Sequence, residues 1–162
     1  EPRVSGRLTI AQASQTAGYP VYEPAYIPEG YWLSARDVLT TSASTTVDAS
    51  YRMELNPPLH DGKQMAGIIA INQSRVQNGA KPWEKGVGEV PVVEVTVRGQ
   101  PGVWLEQIPI IPFQDENGGW DYERWNQLIW AEAGYNFMIQ TNMPADLLPL
   151  EELLKIAESL AP

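Results

Sequence analysis

The chain has 162 residues, 43% hydrophobic and 19% charged, values that fit one globular domain and exclude an intrinsically disordered chain. Lys and Arg number 11 against 20 Asp and Glu, giving a formal charge of -9, which argues against nucleic acid and anionic lipid as partners because both need clustered cations. No cysteine is present, which removes thiol nucleophiles, thiolate metal sites and disulfides, and no apolar run reaches the roughly 18 residues needed to span a membrane.

Thr9-Ile10-Ala11-Gln12 opens the first predicted helix. Thr9 is placed to cap it, Gln12 to complete a capping box, and Gly18 to stop it. In YPVYEPAYIPEGY, Pro20, Pro24 and Pro28 exclude helix and central strand, so an extended segment is expected to drape over the core with its tyrosines inward. Tyr31 to Val38 reads as a strand and Ser42 to Thr46 as a polar turn. In VDASYRMEL, Val47, Ala49, Tyr51, Met53 and Leu55 alternate with Asp48, Ser50, Arg52 and Glu54, the pattern of a half-buried antiparallel strand. NPPLHDGK reads as a turn, and MAGIIAINQ, apolar on both faces, as a central strand.

Residues 74–89 are polar and loop-like. VPVVEVTVRG sets Val93, Val95 and Val97 against Glu94, Thr96 and Arg98, and RGQPG turns the chain into VWLEQI. A proline-rich stretch and DENGGWDYERW follow. LIWAEAGYNFMIQ reads as a hairpin closing at Ala131 to Gly134, with Gly134 taking the positive φ and with Trp130 and Phe137 buried by cross-strand packing. In LPLEELLKIAESL, the residues Leu150, Leu153, Leu154, Ala157 and Leu160 form one helical stripe, Pro149 suits the first turn, and Glu151 and Glu152 suit the positive end of the dipole. These segments, joined by short turns, predict an α+β domain. The expected form is an antiparallel sheet of about six strands with N-terminal and C-terminal helices packed on one face. No linker divides residues 1–162, so a single domain is expected, and the start at Glu1 reads as a fragment of a longer membrane-tethered or secreted protein.

The chemistry-bearing residue types are sparse. His60, the only histidine, lies in a predicted turn, and no nucleophile elbow accompanies it, so no catalytic residue is expected. DENGGWDYE begins like a calcium loop with Asp115 and Asn117. It then carries Trp120 and Asn126 where the loop requires Gly and Glu, and a turn with no metal is expected. KGVGE at Lys85 to Glu89 lacks both the dinucleotide and the Walker spacing, so no cofactor is expected. Twenty acids leave open a carboxylate pair for hydrolysis. Trp32, Trp104 and Trp130 sit inside strand patterns and are expected in the core. Trp83, Trp120 and Trp125 sit in polar segments and are the candidate ligand-binding residues.

The order of a short helix, GYPVYEPAYIPEGY, VEVTVRGQPGVW, LIWAEAGYNFMIQ and LPLEELLKIAESL resembles the bacterial domain of unknown function 4367 from about Thr9 to Leu160. Its most specific pieces are PAYIPEGY at Pro24 to Tyr31, the VRGQPG turn, Trp130 with Gly134-Tyr135, and EELLKIAESL. The resemblance implies an extracytoplasmic module of anti-sigma-factor-like, sporulation-associated or lipoprotein-sorting-like proteins, and it carries no catalytic residues. The chain departs from that pattern in a longer stretch at about Pro112 to Asn126 and a longer loop at Ser74 to Glu89.

The leading expectation is therefore a non-catalytic interaction or sensor domain of a bacterial membrane-anchored or lipoprotein regulator. Its partner would be a protein or an envelope ligand, with no nucleic acid bound and with any anchor upstream of this segment. The alternative is a glycan- or lipid-binding module using the loop tryptophans, followed by a hydrolase built on an acid pair.

Overall fold

A computed structural model describes residues 3–59, 62, 64–75 and 91–162. In chain order the elements are β1 (Arg3–Val4), α1 (Ile10–Ala17), β2 (Glu23–Pro24), β3 (Trp32–Thr40), β4 (Thr45–Leu59) and β5 (Gln64–Arg75). They continue with β6 (Val92–Val97), β7 (Gln100–Gln114), β8 (Trp120–Glu132), β9 (Tyr135–Thr141), α2 (Leu150–Glu158) and β10 (Leu160–Ala161). Eight strands form one antiparallel sheet in the order β1-β3-β4-β5-β9-β8-β7-β6, and β2 pairs separately with β10.

This corrects the expected α+β domain with about six strands. Strands make up 59% of the molecule and helices 12%, so the fold is mostly β. Two segments account for most of the difference. NPPL, the first part of the NPPLHDGK stretch read as a turn, continues β4 to Leu59 across a register shift after Glu54. The proline-rich stretch and DENGGWDYERW, of which about Pro112 to Asn126 read as a longer stretch than the resembled pattern has, form the far half of β7, a turn at 115–119 and the start of β8. Prolines are tolerated there because β6 pairs with β7 only as far as Leu105, so among the described residues Pro109 and Pro112 have no strand on their outer side. Irregularities between Leu105 and Ile108 and between Pro109 and Ile111 absorb the local misfit.

Alternation sets the two faces of the sheet. In β4, Val47, Ala49 and Tyr51 are buried on one side, while Asp48, Ser50 and Arg52 point to the other. The first side is the core. Ala49, Tyr51, Ile69, Ile71, Trp104, Leu128, Trp130, Phe137 and Ile139 pack there with Leu153, Ile156, Ala157 and Leu160 from the C-terminal segment. A second cluster joins Ala13 of α1 to Tyr19, Val21, Val38 and Val47. Trp130 and Phe137 are paired across β8 and β9, stacked at 5.2 Å and 12°, and buried, as the hairpin reading expects. The hairpin turns one step later than read: Ala131 and Glu132 still pair with Asn136 and Tyr135, leaving Ala133 and Gly134 at φ 51° and 83°. Positive φ at both central residues is the type I′ arrangement that matches strand twist.

Helix α1 carries its expected caps. Thr9 accepts from the Gln12 N–H, the Gln12 side chain accepts from the Thr9 N–H, and Gly18 is left-handed. The proline-rich segment lies over the core, held at its far end by the β2–β10 pairing and by the Tyr26 N–H donated to Ser159, and at its near end by Gln73. Buried Gln73 accepts from the Tyr22 N–H at 2.8 Å and donates to the Pro20 carbonyl at 3.0 Å, while its backbone carbonyl accepts from the Tyr19 hydroxyl. The void left between strap and sheet is about 10 Å³, lined by Tyr22, Pro24, Arg36, Ile71 and Phe137 among others. It has room for a single water and not for a ligand.

Candidate interaction surface

The feature that stands apart from the sheet is an arm. Strand β9 pairs with β8 only from Asn126 onward, and β6 covers β7 only up to Leu105, so Ile108–Gln114 and Trp120–Trp125 pair with each other and, among the described residues, with no third strand. Sequence builds the arm at both ends. At its base, buried Asn126 accepts from the Gln107 N–H at 2.9 Å, and Gln107 sits at φ 60°, which turns β7 out of the main ladder. At its tip, Asp115 Oδ1 accepts from the N–H groups of Asn117 and Gly119, and Gly118 is left-handed at φ 77°. A Cβ at Gly119 would stand 2.9 Å from Asp115 Oδ2, so a larger residue there would displace the Asp115 carboxylate. The loop that began like a calcium site is thus a chain reversal in which one Asp115 oxygen is spent on backbone donors. Among the described residues no cluster of His, Cys, Asp and Glu is arranged to hold a metal ion.

The arm exposes what the rest of the sheet buries. Trp120 is 70% exposed and Tyr122 48%, and Ile110, Ile111 and Phe113 are exposed on the partner strand of the arm. Trp120 and Tyr122, two residues apart, share a face of β8. The register pairs Tyr122 with Pro112 and Asp121 with Phe113, which places the two rings on the face opposite Ile111 and Phe113.

The candidate tryptophans separate. Trp120 lies at the exposed end of the arm. Trp125 at its base is only 7% exposed, with its indole N–H donated to Glu123 at 3.0 Å. Trp83, like His60 and the KGVGE segment, lies outside the described residues. The structure therefore brings no second candidate tryptophan up to Trp120 among the described residues. Of the tryptophans expected in the core, Trp104 and Trp130 are buried, but Trp32 is 47% exposed. Trp32 begins β3 just before a register shift between Leu33 and Ala35, so the strand alternation that assigned it inward does not run through it. Sequence reasoning passed over Tyr122, Phe113 and Ile111. Their signal was available as two alternating runs, IPF and WDY, on either side of Asn117-Gly118-Gly119.

One pair of acids faces across strands toward the other edge of the sheet. Asp37 and Asp48 are cross-strand partners in β3 and β4. Asp37 is committed to structure: one oxygen accepts from the Gly6 N–H and the other from Arg3, which pins β1 to β3. Asp48 Oδ1 is buried without a hydrogen bond, as are Asn72 Oδ1, on the residue paired with it, and Asn136 Oδ1. Burial first, and the Asp37 charge second, push Asp48 up to about 6, against the pull of Arg3. The native carboxyl holds its proton more tightly than the unfolded chain's. Its contribution to stability is complete below the unfolded value of about 4 and is lost as pH rises through about 6. Asp48→Asn removes the charge, and its stability relative to the parent is expected to improve by about 1–3 kcal/mol between about pH 4 and pH 7. Urea unfolding of both proteins at each pH checks this, and a difference that stays constant with pH would remove the burial account.

Comparison of the chain with protein-family models, with curated proteins and with solved structures gives no match. Among the described residues no helix is long and apolar enough to cross a membrane.

Proposed function

We propose that the chain is a non-catalytic interaction or sensor domain that works outside the cytoplasm as part of a membrane-tethered or secreted bacterial regulator. The observation that carries this reading is the arm. Large apolar side chains are costly to leave in water, and Trp120 and Tyr122 on one face of the arm with Ile111 and Phe113 on the other are exposed apolar groups of the kind that mark a protein-recognition surface. The placement outside the cytoplasm rests on the resemblance in motif order from Thr9 to Leu160. Two measurements on the native gene product test the proposal. A photo-crosslinking residue in place of Trp120 is expected to give discrete protein adducts in cells, whereas the same residue at exposed Glu29 gives none above background. Alkaline phosphatase fused after Pro162 is expected to be active, since that enzyme folds only outside the cytoplasm. Equal adduct yields at the two positions would remove the interaction role, and an inactive fusion the location.

A further inference from the structure

We propose that Asp37 and Asp48 form a pH-sensitive clip, which holds β1 and the residues after it against β3 while both carboxylates are charged and loosens them when Asp48 takes up a proton. The clip is independent of the interaction reading above. Asp37 and Asp48 face each other across β3 and β4, on the side of the sheet away from α1 and α2. Directly opposed side chains of this kind stand about 4.5–5.5 Å apart at Cβ. Both oxygens of Asp37 are taken by the first segment of the chain: Oδ1 accepts from the Gly6 N–H at 2.8 Å and Oδ2 from Arg3. Arg3 pairs with Leu39, which shares the face of Asp37, and its positive charge acts on both acids. Two backbone bonds complete the attachment. The Arg36 N–H donates to the Gly6 carbonyl at 2.7 Å, and the Leu8 N–H to the Arg36 carbonyl at 3.3 Å.

One guanidinium between two carboxylates makes the charge of Asp48 matter to β1. With Asp48 ionised, Arg3 is attracted by two negative charges. With Asp48 protonated, one of them is gone, and the new hydroxyl can donate to an Asp37 oxygen in competition with Gly6 and Arg3. Among the described residues the remaining neighbours of Asp48 on this face are neutral: Thr46 and Ser50 on β4, Ala70, Asn72 and Ser74 on β5, and Ala35 and Leu39 on β3. Arg52, farther along β4, is paired with Glu54. Burial and the Asp37 charge raise the docked Asp48 to about 6, and Arg3 pulls it back, so Asp48 beside a detached β1 lies higher still. The Asp48 share of docking is therefore complete above the detached value and is lost as pH falls through about 6. This sign is opposite to that for the whole fold, where burial of the charge outweighs Arg3. The same proton thus strengthens the sheet and frees its first strand, uncovering the Arg36 N–H and carbonyl on the outer edge of β3.

The test is amide hydrogen exchange of the whole chain by NMR, with each rate divided by that of an unstructured peptide at the same pH so that only structural opening is read. From about pH 7.5 to about pH 5, protection at the Gly6 and Leu8 amides is expected to fall about 3-fold or more, centred near pH 6, and by less at high salt. Protection at Ile129, in the middle of the sheet, is expected not to fall. Asp48→Asn, neutral throughout, is expected to show the lower Gly6 protection at both ends of the range. Arg3→Gln, at an exposed position, is expected to lower it at both ends and to reduce its pH dependence. Urea midpoints verify that both variants fold. Gly6 protection that is flat with pH in the wild type would overturn the proposal. The same fall persisting in Asp48→Asn would overturn it by assigning the titration to another group. Full Gly6 protection in Asp48→Asn at both ends would overturn it by showing that the Asp48 charge does not hold β1.

Discussion

Trp130→Ala is expected to destabilise the fold by about 3–5 kcal/mol, read as a fall in urea midpoint with an unchanged slope. The residue is completely buried between β9 and the helix-covered side of the sheet, and its ring lies flat against Phe137 at 5.2 Å. Truncation removes that contact, opens a cavity the size of an indole, and takes away the N–H that donates to Glu132 at 2.9 Å. Trp130→Phe separates these contributions. It keeps a ring against Phe137 and drops only the donor and part of the volume, so a smaller loss of about 1–2 kcal/mol is expected. A typical domain of this kind is stable by about 5–15 kcal/mol, so the alanine variant consumes a large share of the total. A loss below about 1 kcal/mol for Trp130→Ala would mean that the stacked pair is not the centre of the core.

That core was legible because period-two alternation in VDASYRMEL, LIW and YNFMIQ states which side chains face inward, and burial then follows. The caps of α1 were legible for a similar reason: Thr9, Gln12 and Gly18 act within a few residues of themselves. The arm was not, because its evidence is non-local. Pro109 and Pro112 forbid a central strand, and only the position of β6, which pairs no farther than Leu105, makes them acceptable in β7. Trp125 shows the same limit on the candidate site. Its polar neighbours suggested exposure, but Glu123, two residues back on the same face, takes its N–H, so the ring is buried as a satisfied donor. Trp104 with Glu106 and Trp130 with Glu132 repeat the arrangement at the same spacing, one that a strand's period places side by side. The arm's exposed rings are therefore distinguished by what they lack: Trp120 has no such glutamate partner, and its neighbours on the arm leave it in water.

Replacing Arg98 by asparagine separates two readings of the β6–β7 turn that predict opposite signs. Arg98 and Gly99 have φ 51° and 74°, a type I′ turn in which asparagine is preferred at the first position. Turn chemistry alone therefore predicts a gain. The side chain argues for a larger loss. Its Nη1 donates to the carbonyls of Ala157, Glu158 and Leu160 at 3.0, 3.2 and 2.8 Å, closing the C-terminal end of α2, where backbone acceptors would otherwise go unmet. Its Nε stands 2.6 Å from the Glu132 oxygen that also receives the Trp130 N–H, so one guanidinium ties the helix end to the buried indole. Both members of the ion pair are largely shielded, and removing one leaves the other charge poorly solvated. The expected net effect of Arg98→Asn is a loss of about 2–4 kcal/mol, with Arg98→Lys recovering less than half because an ammonium cannot span three carbonyls and a carboxylate in one plane. A double-mutant cycle with Glu132→Gln is expected to show a coupling of about 1 kcal/mol or more. An Arg98→Asn variant as stable as the parent would mean that the turn, and not the helix end, is what this residue serves.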